Sequence, residues 1–170
     1  GLCRIQQKDF DGAINDYNSA LRYNPDGQGL WHNRALCRIQ QKDYEGALKD
    51  LDSMATRWSK NAHVPAMQAE AYLQLKDTAK AISALDKSVE IDAYNGSVWA
   101  QRSQIALARS EWKDAEGYLD KAIHLLPKEA GFYINRAMAR FNQSNLRGAM
   151  ADYDTALDFD PNNFLGHYNR

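Results

Sequence analysis

Arginine is the side chain whose spacing most suggests chemistry in this sequence. Arg34, Arg102, Arg136 and Arg170 stand at multiples of 34 residues from one another, and Arg4, Arg38 and Arg140 form a second column four positions on. A guanidinium ladder with a fixed repeat can grip a phosphate backbone, so one reading is a helical-repeat RNA-binding protein. The other is a set of internal ion pairs, because buried arginine is rarely left unpaired. Comparison within the chain favours the ion pairs. Where the second column holds arginine, the following segment carries Asp16, Asp50 or Asp152; where it becomes Tyr72 or Ala106, the aspartate becomes Ala84 or Tyr118. The expected structural pairs are therefore Arg4 with Asp16, Arg38 with Asp50, and Arg140 with Asp152, the last two mostly shielded from water. The net charge of −1 gives no global attraction to nucleic acid either.

Other reactive side chains make no constellation. Cys3 and Cys37 share a column and are expected as two buried small side chains about 9–10 Å apart, beyond disulfide reach. His32, His63, His124 and His167 fall in four different columns, with no HExxH or CxxC spacing, so no metal is expected. Asp52, Asp86, Asp120 and Asp154 form an acidic row interleaved with Lys87 and Lys121, which reads as a solvated face and not a calcium loop. With no Ser-His-Asp set and no phosphate-cradling glycine loop, neither catalysis nor a cofactor is expected. The chain reads as non-enzymatic.

Two apolar-periodic segments joined by a polar turn are the elements behind these columns. In AGFYINRAMARFNQSNLRGAMADYDTALDFDPNN, residues 130–163, Tyr133, Ala137 and Phe141 fall four apart, and Leu146, Ala149, Met150, Tyr153, Ala156 and Leu157 follow helical spacing. One hairpin cannot bury both stripes, so it needs copies of itself. Residues 28–61, 62–95, 96–129 and 130–163 are such copies, flanked by partial ones at 1–27 and 164–170. The register never slips, which predicts one continuous array over 1–170. No run approaches the roughly 18 apolar residues of a membrane span, and the composition is that of a soluble chain, compatible with cytoplasm or periplasm.

The aligned columns carry a family resemblance. An aromatic recurs as Trp31, Trp99 and Tyr133; a small residue as Gly1, Ala35, Ala69, Ser103 and Ala137; alanine as Ala13, Ala47, Ala81, Ala115 and Ala149. Tyr17, Leu51, Leu85, Leu119 and Tyr153 supply the larger position, Ala20, Ala122 and Ala156 a small one, and Pro25, Pro127 and Pro161 end the copies. Small residues at these places let paired helices approach closely. The pattern resembles the tetratricopeptide repeat over essentially the whole chain. That resemblance implies an all-α fold: a right-handed α-α superhelix, or solenoid, of antiparallel helix hairpins. The copy at 62–95 departs most, with Pro65 for the aromatic and with Ala93 and Ser88 for Pro and Ala.

In such a stack the first helices line the inner face. Counting outward from the core stripe puts His32, Asn33, Leu36, Ile39 and Gln40 there, then His63, Met67, Glu70, Leu73 and Gln74, then Gln101, Gln104 and Leu107, then Ile134, Asn135, Met138, Phe141 and Asn142. None is Lys or Arg, which argues against the Lys/Asn/Arg carboxylate clamp known in some tetratricopeptide domains. The expectation is a scaffold whose concave groove binds a peptide or helix of a partner protein through amides and adaptable apolar side chains. RNA binding, or service as the regulatory part of a larger enzyme, are the alternatives. The sequence begins and stops within helices, which reads as a fragment of a longer array with ends able to associate head to tail.

Overall fold

Intrahelical hydrogen bonding organises most of the chain in the structure, a computed structural model describing residues 1–170. Its helices are α1 (Leu2–Gln6), α2 (Phe10–Tyr23), α3 (Gln28–Gln40), α4 (Tyr44–Arg57), α5 (His63–Gln74), α6 (Thr78–Ile91), α7 (Gly96–Ala108), α8 (Trp112–Leu125), α9 (Ala130–Asn142), α10 (Leu146–Phe159) and α11 (Phe164–Asn169). None is long and apolar enough to cross a membrane. Contacts divide the chain into two compact units, Gly1–Ile91 and Asp92–Arg170, where the sequence register alone predicts one array. The division follows α6, the last helix of the copy that departs most from the pattern. The first unit holds the hairpins α1–α2, α3–α4 and α5–α6; the second holds α7–α8, α9–α10 and the short α11. Within a unit each second helix also packs on the next first helix, as α2 on α3, α4 on α5 and α8 on α9.

The small columns sit where helices cross. Ala13, Ala35, Ala47, Ala69, Ala81, Ala115 and Ala137 are all fully buried, as is Ser103. Leu51, Leu85 and Leu119 fill the spaces between them and are equally closed to solvent. A side chain larger by several methylenes at an alanine position would force the pair apart, costing about 1–3 kcal/mol.

Each hairpin turn spans three residues, and its middle residue has a fixed conformation. Lys8, Lys42, Lys76, Ser110 and Ser144, 34 apart, all take the left-handed conformation, with φ between 59° and 63°. The next residue closes the first helix: the amides of Asp9, Asp43, Asp77, Glu111 and Asn145 donate to carbonyls five residues back at 2.8–2.9 Å. The same residue opens the second helix, and Asp9, Asp43, Asp77 and Asn145 accept the amide three residues on through their side chains. Glu111 makes no such cap.

The turns between copies are tied by the aromatic column. Trp31 Nε1 donates to the Pro25 carbonyl at 2.7 Å, Trp99 Nε1 to Ala93 at 3.0 Å and the Tyr133 hydroxyl to Pro127 at 2.9 Å. His167 Nε2 lies 2.9 Å from the Pro161 carbonyl in the same register. Pro65 has no donor to offer. In that copy the buried Ser88 hydroxyl instead donates to the Ala62 carbonyl at 2.8 Å, at the start of α5. Ser88→Ala should therefore lower unfolding stability by about 1 kcal/mol, read from a urea midpoint, whereas Ser83→Ala on the exposed side of α6 should change it by less than about 0.5 kcal/mol.

Candidate functional site

Behind the candidate face lies a charged network that fixes which way the first helices point. Asp50 and Asp152, on α4 and α10, have side chains only 3% and 4% exposed. A carboxylate so enclosed must be matched by donors, because its desolvation costs several kcal/mol. Arg34 supplies two: Nε to Oδ2 at 2.9 Å and Nη2 to Oδ1 at 2.6 Å on Asp50. Arg136 holds Asp152 with the same two atoms at the same distances. The second column completes each site, with Arg38 Nη1 2.9 Å from Asp50 and Arg140 Nη1 2.8 Å from Asp152. Arg4 lies 3.1 Å from Asp16, but both are roughly half exposed. Each buried aspartate thus sits between two guanidinium groups.

The first-column arginines also reach backward. Arg34 Nη1 donates to Asn18 on α2 at 2.7 Å, and Arg136 Nη1 to Asp120 on α8 at 2.7 Å. Burial pulls the Arg136 pKa down, but the bonds to Asp152 and Asp120 outweigh that and leave it raised. Gln68 donates to Asp52 at 2.7 Å and Arg170 meets Asp154 at 2.8 Å. The acidic row is therefore no mere solvated face; these members accept hydrogen bonds from the following copy, sixteen residues on. Arg140 adds a bond from Nε to Glu116 at 2.7 Å. Burial alone would raise the Glu116 pKa, yet the donors Arg140 and Gln143 leave it below the ordinary value.

One more column belongs to this network. Glycine stands at Gly12, Gly46 and Gly148, in the three copies that carry the second arginine, and Lys80 or Asp114 stands there in the others. Arg38 Nη1 donates to the Gly46 carbonyl at 2.8 Å, and a methyl group on Gly12 would lie 2.5 Å from Arg4 Nη1. The guanidinium passes over bare backbone. The sequence held this signal in the same register as the Arg and Asp columns.

The face itself is described unit by unit. In the first, α3 presents His32, Asn33, Leu36 and Gln40, and α5 presents His63, Met67, Glu70 and Gln74; Leu36, Gln40, His63, Glu70 and Gln74 are exposed and the others half-buried. In the second, α7 presents Gln101 and Gln104, and α9 presents Asn135, Met138 and Asn142. Ile39 and Ile134 are corrections to the sequence reading, since both are buried, at 7% and 8% exposure. They stand at the edge of the core stripe, where helix counting cannot separate the two sides. Cys3 is a correction of the opposite kind: it is exposed, on a helix with no buried residue, while Cys37 is buried.

Amides on the face differ in what they have left to offer. Asn142 Nδ2 donates to its own helix at the Met138 carbonyl, 2.9 Å away, and Gln74 Oε1 lies 3.5 Å from the Tyr44 hydroxyl. Gln40, Gln101, Gln104 and Asn135 make no side-chain hydrogen bond within the chain. His32 and His63 border one cavity of about 270 Å3 together with Gln28, Gly29, Met54 and Asn61. Burial, and then the nearby His63, lower the His32 pKa and favour its neutral imidazole. No cluster of three or more His, Cys, Asp or Glu side chains is arranged to hold a metal.

Comparison with known proteins matches this architecture. A tetratricopeptide repeat family model matches residues 4–62 and 101–164, and a second one 38–105. No curated protein matches the chain in sequence. Among solved structures, MamA superposes with a TM-score of 0.84 at 17% identity, over 93% of this chain and 92% of that one. YrrB, described as a TPR protein with an unusual peptide-binding site, gives 0.78 at 15% identity over 98% and 86%. The first TPR of Spaghetti (RPAP3), bound to the HSP90 peptide SRMEEVD, gives 0.61 at 26% identity over 64% and 86%. These likenesses place the fold among the all-α helical-repeat superhelices.

Two outcomes follow from the network. Asp152→Leu should cost about 3–5 kcal/mol by stranding two guanidinium groups, and a double-mutant cycle with Arg140→Leu should give coupling of about 1–3 kcal/mol; additivity would contradict the pairing. Because the folded-state pKa of Glu116 lies below its unfolded value, its contribution is complete above that value and is lost as pH falls through the folded one. Glu116→Gln should therefore flatten the acid limb of the stability curve, measured by urea unfolding from pH 7 down to about pH 3.

Proposed function

The chain belongs to the tetratricopeptide repeat family, and we propose that it is a non-catalytic interaction module whose inner helix faces bind a segment of another protein. The observation that carries this reading is the composition of those faces. Gln40, Gln101, Gln104 and Asn135 carry uncommitted amides, which can both donate to and accept from a peptide backbone whatever its side chains. Leu36 and Met138, each a little over one-third exposed, add apolar contact beside them. Glu70 is the one charged residue in the set, and no Lys or Arg appears. Arg34 and Arg38 on α3, and Arg136 and Arg140 on α9, are turned into the Asp50 and Asp152 sites, which disfavours a role for them with phosphate or carboxylate ligands and with it the RNA reading. A partner held this way is recognised by shape and backbone, with a weak dependence on ionic strength.

The similar peptide-bound and peptide-binding structures support a protein partner in general, and the make-up of these faces suits an uncharged, apolar-containing segment, extended or helical.

Peptide-array selection on the purified chain supplies a ligand, and calorimetry on variants then tests the face. Asn135→Ala and Met138→Ala should each weaken binding by roughly 1–2 kcal/mol. Lys49→Ala and Lys113→Ala, exposed on second helices, should leave it unchanged. The reverse pattern would dismiss the inner-face reading, and a steep loss of affinity with salt would revive a phosphate ligand.

A further inference from the structure

Beside each aromatic of the inter-copy turns is a wall position that different copies fill differently. In the first unit the Arg57 guanidinium lies 5.2 Å from the Trp31 ring. In the second, the Phe159 ring lies 5.7 Å from that of Tyr133. Leu125 occupies the same register position beside Trp99, and it is smaller than either. Ala93 also replaces the proline found at Pro25 and Pro127. These two reductions coincide at an opening of about 290 Å3 lined by Ala93, Tyr94, Trp99, Lys121, His124 and Leu125. The volume lies at the bottom of the range for small-molecule pockets, which suits a single side chain.

The lining is asymmetric in charge. Lys121 contributes an ammonium 3.9 Å from the Trp99 ring centroid and His124 an exposed imidazole, with no carboxylate among the six residues. Tyr118 stacks on the indole at 6.0 Å. The indole edge, the Leu125 side chain and the 84% exposed Tyr94 are what remain for a guest. We propose that this opening seats an aromatic side chain of a partner peptide whose neighbouring residues are acidic. The sibling positions hold a guanidinium or a phenyl ring, so the place suits either shape. The Lys121 ammonium disfavours a cation and favours a ring flanked by carboxylates. Edge-to-face contact with Trp99 supplies geometry, and the partly screened Lys121 supplies a smaller electrostatic share. None of the lining residues belongs to the inner-face set, so this site does not rest on that reading.

The test is an NMR titration of the whole chain with blocked tripeptides, following the Trp99 indole N–H, which donates to the Ala93 carbonyl at 3.0 Å and so reports on the opening. Acetyl-Glu-Phe-Glu-amide should give a saturable shift. Acetyl-Glu-Ala-Glu-amide and acetyl-Lys-Phe-Lys-amide should bind about tenfold more weakly or not at all. Leu125→Phe, which fills the opening from within as Phe159 does at its own copy, should abolish the shift; Ala93→Pro narrows it from the other side and should do the same if the first variant folds poorly. Lys121→Gln should weaken binding about two- to fivefold, and Asn135→Ala should leave it unchanged. Absence of a saturable shift with the acidic phenylalanine peptide, equal binding of the alanine peptide, or retained binding in folded Leu125→Phe would each overturn the proposal.

Discussion

A carboxylate buried between helices cannot be left to itself, and the sites around Asp50 and Asp152 show how much of the chain that one requirement organises. Two guanidinium groups converge on each aspartate. Their side chains leave the first helix on one side, which fixes the rotation of α3 and α9 about their axes. The same arginines reach Asn18 and Asp120 on the preceding helices, so one side chain joins three helices. Glycine at Gly46 keeps the second helix bare where the Arg38 guanidinium meets its carbonyl. The functional consequence is indirect but definite: arginines committed to the interior of the stack are not on the inner face. A neutral, amide-bearing face is the complement of a charged network behind it.

Two copies dispense with the aspartate, and each does so differently. Around α5 and α6 the position is the buried Ala84, with Gln68 in place of the first arginine and Tyr72 in place of the second. Around α7 and α8 it is Tyr118, whose hydroxyl accepts from Arg102 Nη2 at 3.2 Å while the guanidinium lies 5.0 Å from the ring centroid. Trp99 stacks with Tyr118 at 6.0 Å and Lys121 lies over Trp99. A layered set of cations and rings thus stands where the ion-paired aspartate stands elsewhere, and the opening beside Leu125 belongs to the same copy. Replacing a buried ion pair with well-packed neutral groups is often stability-neutral, which leaves such a copy free to diverge at its surface.

Much of this was legible in the residues. Helix positions followed from spacing, and the joint loss of Arg and Asp in two copies pointed to Arg38 with Asp50 and Arg140 with Asp152 as partners. Other features were present but unread. The Gly12, Gly46 and Gly148 column varied together with those arginines, and the turn residues Asp9, Asp43 and Asp77 are N-caps in type and place. Some features were out of reach. Asp52, Asp120 and Asp154 of the acidic row are exposed, as a solvated face requires, but the hydrogen bonds they accept were not read, because each donor lies in the following copy. Ile39 and Ile134 were misplaced because successive residues step about 100° around a helix, so a position at the stripe's edge can fall on either side. Cys3 shares the Cys37 column but not its burial, which depends on packing around α1 and not on residue type.

Amide hydrogen exchange on Arg136→Gln tests the organising role of these arginines most directly. The Arg136 guanidinium is bonded to Asp120 on α8 and Asp152 on α10 while rooted in α9. If one side chain unites the three helices, the substitution lowers protection in α8, α9 and α10 together. Loss confined to α9, or no loss at all, would contradict the account.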